Sequence, residues 1–216
     1  MRTHSRSARL AAVALGALAL CGGLSGSEKE SNPPNKEEKN PVPAAAEKEL
    51  LKPREDLPGL KNFAKVSDGL YRGAQPTAEG FATLKKMGVK TIVNLRAVNS
   101  DRDELKGTQL QYCHISFKAW HAEEEDVLKF LKVIGDKKNQ PVFVHCEFGS
   151  DRTGMMVAVY RMLEQGWSNE QAAQETRNFG FHEVFENIQK YLKKFDPQKI
   201  SKKLEKTKAP QVETVE

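Results

Sequence analysis

One run of ten residues constrains this chain more than any other. His145-Cys146-Glu147-Phe148-Gly149-Ser150-Asp151-Arg152-Thr153-Gly154 follows directly on the apolar stretch Pro141-Val142-Phe143-Val144. The apolar stretch predicts a buried strand, and the largely apolar segment from Arg152 to Glu164 predicts a helix. The five residues between Cys146 and Arg152 must then close a short strand-to-helix loop. Such a loop can turn its backbone N–H groups toward one point, where the helix also aims its positive end. That point suits a phosphate dianion. The same field favours a thiolate, so Cys146 is expected to titrate well below the roughly 8.5 of a free cysteine and to serve as a nucleophile. Arg152 offers a planar fork of donors that matches two phosphoryl oxygens. Glu147, Phe148, Gly149 and Ser150, with Arg152, form the expected binding loop. The plain alternative is a buried cysteine with a capping arginine. The ordered succession of strand, cysteine, glycine-containing loop, arginine, hydroxyl and helix argues against it.

The residues around this run predict an α/β domain. Phe63 to Arg72 reads as one or two short strands, and Thr77 opens a helix that ends near Met87-Gly88. Val89 to Leu95 is a branched, apolar strand of the kind buried in a parallel sheet, and Leu110 to Ile115 is the next. Asp101 to Lys106 between them reads as a polar connection. Val127, Phe130, Leu131 and Ile134 share one face of a crossover helix. Ser168 and Gln171 have capping-box spacing, and Val184, Ile188, Tyr191, Leu192 and Phe195 mark a last amphipathic helix stopped by Pro197. The expected architecture is a three-layer α/β/α domain with a mostly parallel central sheet and a C-terminal helical subdomain.

The termini read differently from this domain. Residues 1–26 carry Arg2, Arg6 and Arg9, then the apolar run Leu10 to Leu20, then small residues, which is the pattern of a bacterial export signal. Leu18-Ala19-Leu20-Cys21 resembles a lipobox, although Leu20 stands where a small residue is usual. Cleavage by the general signal peptidase and lipidation of Cys21 both remain open. The expected location is outside the cytoplasm, as a periplasmic protein or a membrane-anchored lipoprotein. Residues 27–56, rich in Ser, Asn, Pro, Lys and Glu, read as a disordered linker, residues 57–197 as the catalytic domain, and residues 198–216 as a disordered basic tail. Losing the leader removes three arginines and no acid, so the +5 of the whole chain falls to +2 and implies no nucleic-acid partner.

With these residues assembled, the chain resembles the protein tyrosine phosphatase superfamily, in its compact, atypical dual-specificity form. His145-Cys146 through Arg152-Thr153-Gly154 carries the resemblance, supported by Tyr71-Arg72-Gly73-Ala74-Gln75-Pro76 and Val93-Asn94-Leu95-Arg96. It implies that Cys146 attacks phosphorus to form a phosphocysteine, that Arg152 binds the equatorial oxygens, and that water then frees phosphate without metal or cofactor. It also implies that the Thr153 hydroxyl bonds the cysteine sulfur and that His145 helps fix the loop. The implied substrates are phosphorylated proteins, phosphotyrosine first, or small phosphomonoesters. Inositol phosphates or phosphoinositides are an alternative, less favoured because Glu147 and Asp151 make the loop less basic; Lys118 and Arg96 could still approach its mouth.

The superfamily's aspartic general acid precedes the cysteine by about thirty residues, yet Ser116 to Ala122 holds no aspartate. Asp151, inside the loop, resembles the acid of atypical bacterial members and ranks first; His121 and Glu123 rank behind it. The missing aspartate also motivates a rival reading, a phosphate-binding pseudophosphatase. Adjacent Cys113-His114 and His145-Cys146 face opposite ways on their strands, so no metal site is expected. Cys113 is a candidate disulfide partner that would shield Cys146 from over-oxidation.

Overall fold

In the computed structural model residues 48–215 are described. The leader, Cys21 and most of the linker lie outside the described residues. Six strands pair in the order β1-β2-β5-β3-β4-β6: β1 Ala64–Ser67, β2 Leu70–Gly73, β3 Thr91–Asn94, β4 Gln111–His114, β5 Val142–His145 and β6 Glu213–Thr214. The four inner strands run parallel, and β1 and β6 close the edges antiparallel. Parallel pairing aligns the carboxyl ends Gly73, Asn94, His114 and His145 along one rim. The loops leaving those residues are therefore neighbours, and the site is built from them.

Both sheet faces are covered, so the apolar residues of the inner strands are buried on either side. Val93, Cys113, Val142 and Val144 point to one core; Ile92, Tyr112 and Phe143 point to the other. Helix α1 (Ala78–Lys86) and the single turn α2 (Arg102–Leu105) cover the second face, burying Phe81, Leu84 and Leu105. Helices α3 (Glu124–Gly135), α4 (Asp151–Glu164), α5 (Asn169–Asn178), α6 (Glu186–Lys194) and α7 (Pro197–Lys206) lie on the first side and supply most of that core. The expected three-layer fold is observed. Its central helix is α4, with residues from Thr153 through Val159 buried without a break. The capping box that starts α5 is formed by Ser168 and Gln171. The turn α2 occupies the stretch read as a plain connection.

Three boundaries differ from the sequence reading. The helix Glu186–Lys194 ends before Pro197 as expected, but it is not the last, because Pro197 opens a further one: proline is well suited to the first helical turn, and the Asp196 carboxylate caps it by accepting from the N–H groups of Gln198 and Lys199 at 3.0 and 3.1 Å. Residues 198–206 are thus helical, Ile200 is buried, and Glu213–Thr214 pairs with β4, so the tail is part of the fold. The linker also ends earlier than expected. Arg54 and Phe63 exchange backbone hydrogen bonds of 2.7 and 3.1 Å, and the Leu51 N–H donates to Glu175 Oε2 at 2.9 Å. The folded unit therefore begins before residue 57 and continues past 197. Finally, Val184 is 79% exposed, because α6 begins two residues after it.

The docking of α7 is testable. Ile200→Ala is expected to lower stability by about 2–4 kcal/mol in urea unfolding, the cost of emptying a buried isoleucine site. A disordered tail would leave the midpoint unchanged.

Candidate active site

The loop after β5 can be understood from where its carbonyls go. Glu147 O accepts from Gln75 N–H at 3.1 Å, Phe148 O from Asn62 Nδ2 at 2.9 Å, Gly149 O from Arg72 Nη2 at 2.6 Å, and Ser150 O from Gly154 N–H at 2.7 Å. In a planar trans peptide the N–H of each following residue points opposite to the carbonyl. Four successive carbonyls tied to surrounding elements therefore leave the N–H groups of Phe148, Gly149, Ser150 and Asp151 aimed away from those partners, toward the inside of the loop. That is an anion cradle made of backbone. Cys146, 2% exposed, lies at its floor, where β5 ends.

Two residues make this curl sterically possible. Gly149 has φ +73°, and a Cβ there would come within 2.6 Å of the Gly73 and Ala74 backbone. Arg72, on β2 beside β5, is fully buried and lies 3.6 Å over the Phe179 ring. Its Nε and Nη1 have no hydrogen-bond partner among the described residues. Burial, the largest influence, pushes the guanidinium down to about 9 against the opposing pull of Glu175 and Cys146. It stays cationic at neutral pH, a fixed positive charge behind the loop.

His145 is also fully buried. Its Nε2 lies 2.8 Å from Asp101 Oδ2 and its Nδ1 3.2 Å from the Cys146 carbonyl. Asp101 further accepts from Gln75 Nε2 at 3.0 Å and Arg96 Nη2 at 3.2 Å, while its own N–H donates to Tyr112 Oη at 3.1 Å. Burial acts to raise the Asp101 carboxyl; the His145 bond and charge, with Gln75 and Arg96, outweigh it and hold the group below its ordinary 3.8. Arg96 reaches from Asp101 to Glu147 Oε2 at 3.3 Å and so ties the loop's exposed acid to the same hub. Sequence reading missed Asp101, because nothing distinguishes it from its charged neighbours Arg102, Asp103 and Glu104.

The remaining expected site residues separate clearly. Arg152 is half-buried and donates through Nη1 to Leu95 O at 3.3 Å, which places its guanidinium at the end of β3. Asp151 is buried: Oδ1 accepts from the His182 N–H at 2.7 Å, Oδ2 lies 2.9 Å from His182 Nδ1, and Ser150 Oγ donates to Oδ2 at 3.1 Å. His182, thirty-one residues away, gave no local signal. Thr153 Oγ1 is buried without any partner among the described residues, so the expected bond to the Cys146 sulfur is not made. His121 and Glu123 are exposed and pair with each other at 3.6 Å; no hydrogen bond or ion pair joins either to the loop, nor Lys118 to it.

The Cys113 to Cys146 disulfide is not compatible with the sheet. Cys113 and Val144 both register with Val93, on opposite sides of β3, so two interstrand spacings of about 4.8 Å separate β4 from β5. A disulfide needs Cα atoms within about 7 Å. Both cysteines are free and buried, and burial, reinforced by Glu213, pushes the Cys113 thiol up to about 12.

A buried cysteine at the floor of a loop of converging backbone N–H groups, at the carboxyl end of a parallel sheet, is an arrangement that can hold an oxyanion beside a thiol. Residues 59–213 match the tyrosine phosphatase family, and the chain belongs to it. It is 32% identical over 121 residues to the dual specificity protein phosphatase TpbA of Pseudomonas aeruginosa, covering 56% of this chain and 55% of TpbA. The chain thus spans about half the length of that relative. Inositol diphosphatase DSP2 of Oryza sativa is 32% identical over 143 residues, covering 62% of this chain and 70% of that protein. A crystal structure of P. aeruginosa TpbA superposes with a TM-score of 0.62 at 26% identity, covering 72% of this chain and 96% of that one.

Two outcomes follow from this geometry. Gly149→Ala is expected to cost about 1–2 kcal/mol in stability from the left-handed backbone and to reduce kcat/KM at least tenfold, because the loop must leave Gly73. Asp101 is an acid whose folded value is depressed, so its stabilisation is present above 3.8 and is lost as pH falls through the lower folded value. In urea unfolding Asp101→Asn should be less stable than wild type at neutral pH, with a gap that closes only below pH 3.8. A gap that persists unchanged into strong acid contradicts this assignment.

Proposed function

We propose that this chain is a cysteine-dependent phosphatase that hydrolyses phosphomonoesters, phosphotyrosine foremost, through a phosphocysteine intermediate. The observation that carries the reading is the set of four outward-bonded carbonyls above Cys146, because a backbone cradle of this kind has one chemical use, binding an oxyanion that the cysteine can reach. The Cys146 thiolate attacks phosphorus and the ester P–O bond breaks; Asp151 gives its proton to the leaving oxygen. Water then attacks phosphorus, Asp151 takes a proton from it, and the S–P bond breaks with Cys146 leaving as thiolate. Arg152 and the loop N–H groups stabilise the oxygens that gain charge in both steps.

Phe148, 66% exposed, stands on the loop itself and offers apolar surface beside the cradle. That favours an aromatic ester. A structure of P. aeruginosa TpbA in complex with phosphotyrosine, 26% identical with a TM-score of 0.60, supports the same preference. The rice relative motivates a second reading, an inositol phosphate substrate held at the mouth by Arg96 and Arg152. Glu147, ion-paired to Arg96, weighs against it. The Arg-led apolar run of residues 1–20 supports export, and a lipid tether would be carried on the Cys21 thiol.

A panel of phosphotyrosine peptide, phosphoserine peptide, inositol phosphates and aryl phosphates should give highest kcat/KM on phosphotyrosine. Cys146→Ser should abolish turnover, and Asp151→Asn should lower kcat on a phenyl phosphate about a hundredfold. Tight ester binding without turnover would establish the pseudophosphatase instead. For the tether, the full chain expressed in a bacterium should partition into detergent, and Cys21→Ser should move it to the aqueous phase. An aqueous wild-type protein contradicts lipidation.

A further inference from the structure

His182 belongs to no motif, yet it makes most of the contacts to the Asp151 carboxyl. Its backbone N–H lies 2.7 Å from Oδ1 and its ring Nδ1 3.1 and 2.9 Å from Oδ1 and Oδ2. A backbone N–H can only donate, so Oδ1 is an acceptor in every protonation state. A proton carried by Asp151 therefore sits on Oδ2, between Ser150 Oγ and Nδ1. Nδ1 can accept from the acid or donate to the carboxylate, since the neutral imidazole carries its single proton on either nitrogen. The ring is 57% exposed and packs edge-on to Phe185, so it is braced on one side and open to solvent on the other.

We propose that His182 is a positioning residue that fixes the Asp151 carboxyl beside the cradle and shares the proton taken by the leaving oxygen. When the ester P–O bond breaks and the S–P bond forms, that proton passes from Asp151 to the leaving oxygen. The carboxylate left behind keeps the His182 N–H as a donor, and Nδ1 becomes a second donor once the solvent-open imidazole gives up its Nε2 proton and takes one at Nδ1 from water. In the second step the carboxylate recovers a proton from the attacking water. The charged groups on the surrounding elements are Arg152 and Glu147 of the loop, Arg177 with Glu183 at 3.6 Å, and Glu186 with Lys190 on α6. The inference rests on Asp151 being the acid.

The test compares the full chain with its His182→Ala, His182→Asn and Asp151→Asn variants on a phenyl phosphate and a nitrophenyl phosphate across pH. His182→Ala is expected to lower kcat about tenfold on the phenyl ester, whose poor leaving group needs the proton, and to leave the nitrophenyl ester nearly unchanged. His182→Asn supplies a donor in the place of Nδ1 without titrating. It should recover most of the kcat but shift the alkaline limb of the phenyl-ester profile. Equal losses on both esters, or a wild-type profile in both His182 variants while Asp151→Asn loses the phenyl ester, would overturn the role of His182 alone. Retention of phenyl-ester turnover by Asp151→Asn overturns the acid assignment and this inference with it.

Discussion

The site depends on one constraint, the planarity of the peptide unit. An inward N–H requires an outward carbonyl, and a carbonyl turned into protein must find a donor. The cradle therefore exists only because Gln75, Asn62, Arg72 and Gly154 stand where four carbonyls arrive. Two of these donors leave or belong to β2, which explains why β2 pairs directly with β5 at the centre of the sheet. Arg72 shows how strongly this is enforced. A buried guanidinium with two unpartnered nitrogens costs several kcal/mol in desolvation. The Gly149 carbonyl and the face of Phe179, a contact worth about 2 kcal/mol when dry, offset part of that cost. The remainder is the strain of keeping a positive charge behind the nucleophile.

Asp101 organises the other side. Its two oxygens reach His145, Gln75 and Arg96, so one buried carboxylate links the residue before the nucleophile, the segment that binds Glu147 O, and the arginine that binds the Glu147 side chain. Loss of any one bond leaves buried groups unpaired, which costs about 1–3 kcal/mol each and makes the loop's conformation cooperative. The short α2 turn follows from the same need: Asp101 is its N-cap residue, and Leu105 anchors the turn in the second core.

What could be read in the sequence was what short spacing encodes. The strand, loop and helix around Cys146 are contiguous, the capping box spans four residues, and the alternation of β5 between two cores appears in four letters. Cys146, Arg152 and Gly149 were legible for that reason. Asp101 and His182 act across forty-four and thirty-one residues of chain, and neither separation has a pattern. The tail was misread because composition was averaged over it. Three apolar residues, Ile200, Leu204 and Val212, carry its docking, and the lysines between them face solvent. Pro197 misled for a related reason, since proline ends one helix and begins another with equal ease.

The placement of the acid completes the physical picture. On the proposed mechanism the acid is Asp151, whose backbone N–H belongs to the cradle, so no closing loop is needed to bring it to the substrate. It stands at the first turn of α4, its carboxyl held by the His182 N–H and by Ser150 Oγ. A protonated Asp151 carries its proton on Oδ2, beside Ser150 Oγ and His182 Nδ1, and releases it from there to the leaving oxygen. Departure of the leaving group removes the need for the proton and restores the carboxylate that the attacking water requires. On this proposal one residue serves both steps without moving, because His182 and Ser150 fix its carboxyl within the loop itself.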